Sequence, residues 1–405
     1  MHVSHHRYVP KSDRVLILLL GALTAIGPFS IDMYLPGLQS ISRDFDTPIS
    51  NVQLTLTSFF FGISFGQLVY GPLIDKFGRR TPMMAGLIIY TVSSIGCSLS
   101  VSVWSLVFFR FLQSLGACAG MVVPRAVVRD VFSPHEGAKV FSQIILVMGI
   151  APIVAPTVGG LLLTYTNWRA IFVVLTLISI IVSIGAWLYL PETGKKDSSV
   201  SLKPGGVLKE YYEVLCVPRF NAYVIASGLS AAVMFAYIAG SPFVFMGIFG
   251  LSESEYGWFF GSNAAGLILA SQLNRLLLRK FEAESIVNAI SIFYVPIGIL
   301  LVLSATYHWG MISMIGLIFL LVSGFGFIVP NASALAMAPF TRNAGSASAL
   351  MGAMQMVSAV VATASVSLLH DGTALPMTLV MSGAGILSLL SLVILRPKSR
   401  LSIEE

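Results

Sequence analysis

Charged residues are scarce in the apolar parts of this chain, and the few found there mark where chemistry can occur. Asp32 is the only carboxylate well inside a long apolar run, 15–36. Arg110 lies within the run 104–128, and Arg125 lies nearer the end of the same run. Asp32 is 18 residues beyond Arg14, about 27 Å of helix. Arg110 is six residues past Trp104, about 9 Å. If the two runs are antiparallel spans, the two groups sit at similar depth toward the outer side. Burial and a facing cation act on a carboxyl's proton affinity in opposite senses, and the balance changes as a site opens or closes. Such a group can couple proton movement to another event. The plainer reading is a static ion pair tying two helices, although buried pairs often add little over an apolar replacement. The sequence alone leaves open whether Asp32 and Arg110 touch.

Arg110, Gln113, Ser114 and Ala117 recur at helical spacing, which makes a polar stripe on one helix face. The stripe fits either an aqueous cavity or a hydrogen-bonded seam between helices. Gln113, Met148, Tyr237 and Gln355 are the candidate contacts for a small-molecule substrate.

A second charged cluster is the short segment Gly71-Pro72-Leu73-Ile74-Asp75-Lys76-Phe77-Gly78-Arg79-Arg80. Gly71 allows close packing at a helix end, and Gly78 can take positive φ in a tight turn. Asp75 suits a helix amino terminus. Arg79 and Arg80 can pair with acids such as Asp130, forming a latch. A basic stop signal for membrane insertion would account for the cations, but not for the ordered Gly, Asp, Gly spacing.

Other chemistries find no support. Cys97, Cys118 and Cys216 are far apart, with no metal-like or Cys-x-x-Cys spacing. The histidines fall in the polar amino-terminal tail or in expected loops. No His and acid cluster, metal spacing or phosphate-binding glycine loop is present. A membrane-embedded enzyme is therefore disfavoured, and no metal or cofactor is expected. A passive channel is disfavoured too, since no span carries repeated polar rings.

The elements that position these residues follow from composition. Of 405 residues, 56% are hydrophobic and only 10% charged, against roughly 25% charged in soluble domains. A water-soluble enzyme and a disordered chain are both excluded. Apolar runs fall at about 15–36, 51–73, 83–101, 104–128, 138–163 and 169–190, and resume at about 220–247, 256–278, 285–305, 309–332, 344–368 and 374–395. A span needs about 20 such residues, so the expected fold is all-α, with twelve transmembrane helices. The first run is too long for a signal peptide's apolar region and reads as a retained span. The longest polar stretch separates the runs into halves: residues 1–190 form an amino-terminal six-helix bundle, 191–218 a cytoplasmic linker, and 219–405 a carboxy-terminal six-helix bundle.

With the amino terminus in the cytoplasm, only Arg43 and Arg169 of the 24 Lys and Arg fall on the outer side, and Arg110 and Arg125 fall within a span. The positive-inside rule thus places both termini in the cytoplasm. It also explains the net charge of +6 without a nucleic-acid partner.

The segment Gly71 to Arg80 resembles the G-x-L-x-D-x-x-G-R-[KR] signature of the major facilitator superfamily. Leu106 to Gly116 resembles the superfamily's helix 4 motif, with Gln113-Ser114 where Gln-Gly is usual. Gly149-Ile-Ala-Pro152-Ile-Val-Ala155-Pro156-Thr-Val-Gly159-Gly160 resembles the helix 5 motif of drug:proton antiporters, with Ala155 in place of a glycine. Ser30-Ile-Asp32-Met-Tyr34-Leu-Pro36 is similar to the helix 1 signature of the bicyclomycin-resistance (Bcr/CflA) multidrug exporters, and Arg129-Asp130 and Trp168-Arg169-Ala-Ile-Phe172 fit that family. The resemblance implies two six-helix bundles, the major facilitator fold, around a central cavity. It further implies a monomer in the bacterial inner membrane whose partners are protons, a small-molecule substrate and the bilayer. Its activity would be proton-coupled drug efflux by alternating access. A proton-coupled importer or exporter of one metabolite remains the alternative, since fold alone does not decide.

Overall fold

The computed structural model describes residues 13–132, 134–194, 204–340 and 344–395. Within these, the side chains of 13, 134, 135, 137–139, 141, 142, 145–149, 204–208 and 344 are outside the description. Among the described residues there is no strand. The helices are α1 (Asp13–Asp32), α2 (Leu38–Asp44), α3 (Ile49–Phe77), α4 (Arg80–Ser98), α5 (Val103–Val131), α6 (Pro134–Tyr165) and α7 (Arg169–Tyr189). They continue with α8 (Pro204–Leu215), α9 (Pro218–Ser241), α10 (Glu253–Leu277), α11 (Ala283–Thr306), α12 (Met311–Met337), α13 (Ala344–Leu368) and α14 (Leu375–Leu395). Ten described helices are long and apolar enough to cross a membrane. The expected runs 138–163 and 256–278 correspond to α6 and α10. The described apolar stretch of α6 is Ile150–Tyr165. α10 carries Glu253, Glu255, Asn263, Asn274 and Arg275, which dilute its apolar character. Many exposed side chains are large and apolar, among them Ile88, Val92, Ile181 and Ile312. That is the reverse of a soluble protein's outline and suits lipid contact.

The chain divides into two compact units. The first comprises Met1–Leu202 together with Pro242–Ala264. In it α1 packs on α5, α6 and α7, α3 packs on α5, and α4 packs on α5 and α7. Small residues permit these close approaches where burial no longer drives helices together: Gly86 of α4 lies against Ala119 and Gly116 of α5, and Gly66 of α3 against Cys118. The second unit comprises Lys203–Ser241 and Ala265–Glu405. There α9 packs on α12, α13 and α14, α11 packs on α12 and α14, and α8 rests on α9 and α13.

This division differs from a cut at the linker in two respects. The linker helix α8 belongs to the second unit, where the Ser346 hydroxyl donates to Glu210 at 2.6 Å. The hairpin Pro242–Ala264, from the chain's second half, packs with the first unit. The hairpin begins with a π-helix, Pro242–Ile248, which is a rare geometry often found at functional places. Gly247 lies against Gln39 of α2, and Gly257 and Gly261 lie against Thr157 and Ile153 of α6.

Candidate functional site

Asp32 is the last residue of α1. The chain then makes a turn, a single 3-10 turn Leu35–Gly37 with Pro36 near its start, and α2. Proline cannot continue the hydrogen-bond ladder, so the sequence Asp32-Met-Tyr34-Leu-Pro36 breaks the helix at the carboxylate. Asp32 is 5% exposed. It makes no hydrogen bond or ion pair among the described residues.

Arg110 on α5 is fully buried. Its Nη1 donates to the Ser30 carbonyl at 3.0 Å and to Gln113 Oε1 at 2.8 Å. Its guanidinium carbon stands 4.2 Å from the Phe59 ring centre, 4.7 Å from Tyr34 and 5.9 Å from Phe172. Planar stacking on aromatic faces is what guanidinium tolerates better than ammonium. Nε and Nη2 have no hydrogen-bond partner among the described residues. Arg110 thus reaches the backbone two residues before Asp32 without pairing with its carboxylate. The static ion pair is not what holds α1 to α5. Arg110 meets α1 at the Ser30 carbonyl, and Gly120 of α5 packs against Leu23 of α1.

Gln113 is fully buried and completes a chain from Arg110 to Ser94 Oγ, to which its Nε2 donates at 2.8 Å. Ser114 bonds the Phe111 carbonyl and fills the space left by Gly62. The polar stripe of α5 lies in an interhelical seam, with Gln113 hydrogen-bonded inside it. Tyr237 is 2% exposed and packs inside the second unit. Gln355 is half-buried and donates to Ser227 Oγ at 2.7 Å. The side chain of Met148 lies outside the description, as does the packing at Gly149.

Pro152 and Pro156 lie within α6. Gly159 sits so close to the Met33 carbonyl that any Cβ there would overlap it. Gly160 faces the backbone of Glu253, where an added Cβ would stand 3.0 Å from its carbonyl oxygen. Two adjacent glycines of the helix 5 motif thus grip the turn that follows Asp32 and the start of α10.

At the loop between α3 and α4, Arg79 is buried and its guanidinium is shared. Nη1 meets Asp75 Oδ1 and Nε meets Asp130 Oδ2, both at 2.8 Å, and Nη1 also donates to the Ile74 carbonyl at 2.7 Å. Burial opposes the charge on Arg79, but the hydrogen bonds it donates to Asp130 and Asp75 outweigh it and hold its pKa above the usual arginine value. Arg80 takes no part in this pairing and donates instead to the Trp187 carbonyl. Gly78 has φ 85°, as the turn requires. Gly71 has nothing within 4 Å of where a Cβ would stand, so the expected close packing there is absent.

Sequence reading missed Glu192. Its carboxylate accepts from the Arg79 amide at 2.6 Å and from the Arg80 amide at 3.3 Å, and Thr193 donates to Asp130 at 3.2 Å. The available signal was an acid just after a span, adjoining Pro191 and Gly194. The ion pair between Arg169 and Asp44, at 2.7 Å with Trp168 Nε1 also on Asp44 at 3.1 Å, was likewise unread.

Apolar helices long enough to cross a membrane, packed through glycine, with one carboxylate buried at a helix break, form a multi-pass membrane protein. The chain belongs to the Major Facilitator Superfamily, whose family model matches residues 20–363. A bicyclomycin resistance protein homolog from Haemophilus influenzae is 33% identical over 383 residues, covering 94% of this chain and 96% of that protein. The multidrug resistance protein MdtL of Escherichia coli is 28% identical, covering 83% of this chain and 84% of its own. Among solved structures, a D-xylose-proton symporter superposes with a TM-score of 0.76 at 14% identity, covering 96% of this chain and 98% of that one. The last likeness speaks for the fold alone.

Proposed function

We propose that the protein exports drugs or other small molecules across the bacterial inner membrane in exchange for protons, by alternating access, and does so as a monomer. The carrying observation is Asp32: a buried carboxylate without an ion pair among the described residues, at the break of α1, with the helix 5 motif against the next residue. The drug-resistance names of the two relatives support the direction of transport.

In this reading Asp32 takes a proton from the outside and gives it up inside, and substrate and proton compete for the site. The unpartnered edge of Arg110 offers the ionised carboxylate a partner that the protonated form does not need. Protonation then changes the grip between α1 and α5. The turn at Met33 passes that change to α6 through Gly159. Both termini lie in the cytoplasm, residues 1–190 and 219–405 act as the two bundles, and 191–218 links them. The protein's own work is binding and movement, with no bond made or broken in the substrate.

The drive is adequate. One charge crossing 100 mV releases about 2.3 kcal/mol, and one pH unit adds about 1.4 kcal/mol. Together these sustain a substrate gradient of several hundredfold. The test is transport in everted vesicles energised by a pH gradient. Asp32→Asn is expected to abolish gradient-driven drug accumulation. Full accumulation by that variant would remove Asp32 from the mechanism. Net movement of substrate with the proton would establish an importer instead.

A further inference from the structure

Arg125 is a second intramembrane cation, and the coupling mechanism does not use it. Along Val123–Val128 every other residue is buried, while Arg125 is exposed. It makes no hydrogen bond or ion pair among the described residues. Arg110 on the same helix is fully buried and stacked, so the two arginines of α5 are in opposite situations.

The face it occupies can be read from its neighbours. Arg125 is four residues beyond Met121 and seven beyond Cys118, positions that share one side of a helix. Met121 lies 3.5 Å from the Cβ position of Gly27 on α1, and Cys118 lies against Gly66 on α3. The side of α5 covered by α4 is the opposite one, through Gly116 and Ala119. Arg125 therefore sits on the strip of α5 between α1 and α3, the strip that also holds Arg110. Fifteen residues separate the two, about 22 Å along the helix. One further turn inward, Arg129 already stands 3.9 Å from Asp130.

Within the apolar runs of the first unit, the charged residues away from a run's start are Asp32, Arg110 and, toward the end of its run, Arg125, so the three are net positive when Asp32 is protonated. Charge at that depth is costly and is kept where it has a use. A guanidinium left open has five donors in a fork that matches carboxylate, phenolate or phosphate oxygens. We propose that Arg125 binds an anionic group of the transported molecule, so that the substrate class includes weak acids and zwitterions rather than simple organic cations. This rests on the transport reading above, and it names the substrate chemistry of that route.

The same chemistry occurs in a lipid phosphate, so the experiment separates the two sources. Full-length protein in nanodiscs would be titrated with fluorescein, which carries a carboxylate and a phenolate, and with tetraphenylphosphonium, a cation of similar bulk. Wild type, Arg125→Gln and Arg125→Lys would be compared, each checked for an unchanged unfolding temperature. The expected result is fluorescein binding weakened about tenfold or more by Arg125→Gln, kept within about twofold by Arg125→Lys, and no weakening for tetraphenylphosphonium. Absence of fluorescein binding to wild type, equal binding by Arg125→Gln, or equal loss of both probes would overturn it. Discs of phosphatidylcholine alone and discs containing phosphatidylglycerol should give the same answer. An effect seen only with phosphatidylglycerol would mean a lipid-phosphate contact and would overturn the substrate assignment. Fluorescein binding as expected, with no proton released from wild type, would keep Arg125 as an anion site while removing the proton-coupled reading.

Discussion

Gly159 of α6 lies directly against the carbonyl of Met33, the residue that follows Asp32. The obstacle to any larger side chain is backbone, which cannot rotate aside. Whatever moves the end of α1 must therefore move α6 as well. Gly159→Ala is expected to cost about 1–3 kcal/mol through overpacking and to impair transport more than Gly160→Ala, where the added Cβ would stand 3.0 Å from the Glu253 carbonyl oxygen. Thermal unfolding in detergent and drug accumulation in vesicles, run side by side, check both. Equal behaviour of the two variants would separate the helix 5 motif from Asp32.

Arg79 joins two carboxylates of unequal exposure: the side chain of Asp75 is 54% exposed and that of Asp130 is 17% exposed. Screening leaves the outer pair worth at most about 1 kcal/mol, while losing a hydrogen bond to a charged group in the more buried pair costs about 1.5–3 kcal/mol. Unfolding temperatures should therefore fall in the order Arg79→Ala most, Asp130→Asn next, Asp75→Asn least. A larger loss for Asp75→Asn than for Asp130→Asn would contradict this division of roles.

Glu192 takes the two amides that open α4, and its carboxylate lies where a Cβ on Gly78 would stand, at 2.5 to 2.7 Å. Gly78 also has φ 85° and ψ −176°, a conformation close to exclusive to glycine and costing others about 1–3 kcal/mol. Gly78→Ala should be destabilised by both effects. The double variant Gly78→Ala with Glu192→Ala should recover the steric share but not the backbone share. Full recovery in the double variant would show that the backbone conformation is not strained for alanine.

In the second unit, Asn274 of α10 and Asn331 of α12 are buried and paired, with Asn331 Nδ2 donating to Asn274 Oδ1 at 2.7 Å. Hydrogen bonds between membrane helices average about 0.6 kcal/mol and reach about 1.7 kcal/mol. Asn331→Ala should fall in that range by unfolding in detergent, with little further loss when Asn274→Ala is added. Additive losses would mean the two amides act separately.

Much of this was legible in the chain itself. The twelve apolar runs, Asp32 as the one interior carboxylate, and Arg79 with Asp130 all follow from residue type and spacing. Helical spacing shows which residues share a face, but not what the face meets. That is why Gln113 reads equally well as a cavity contact or a seam, and why only the packing of α4 and α5 decides. Glu192 escaped because it is over a hundred residues from Arg79 and sits in a polar segment where an acid is unremarked. Gly71 was over-read because a helix-end glycine carries no information about whether a neighbour arrives. The union of Pro242–Ala264 with the first unit depends on partners in α2 and α6 that periodicity within one segment does not reveal.

Proton release on substrate addition tests the coupling at Asp32 most directly. Purified protein in weakly buffered detergent would receive a neutral, an anionic and a cationic drug in turn, with wild type and Asp32→Asn compared. Competition between substrate and proton predicts a fall in pH for wild type with at least one compound, and none for Asp32→Asn with that same compound. Release of equal size from Asp32→Asn would contradict it, and would place the transported proton on another group.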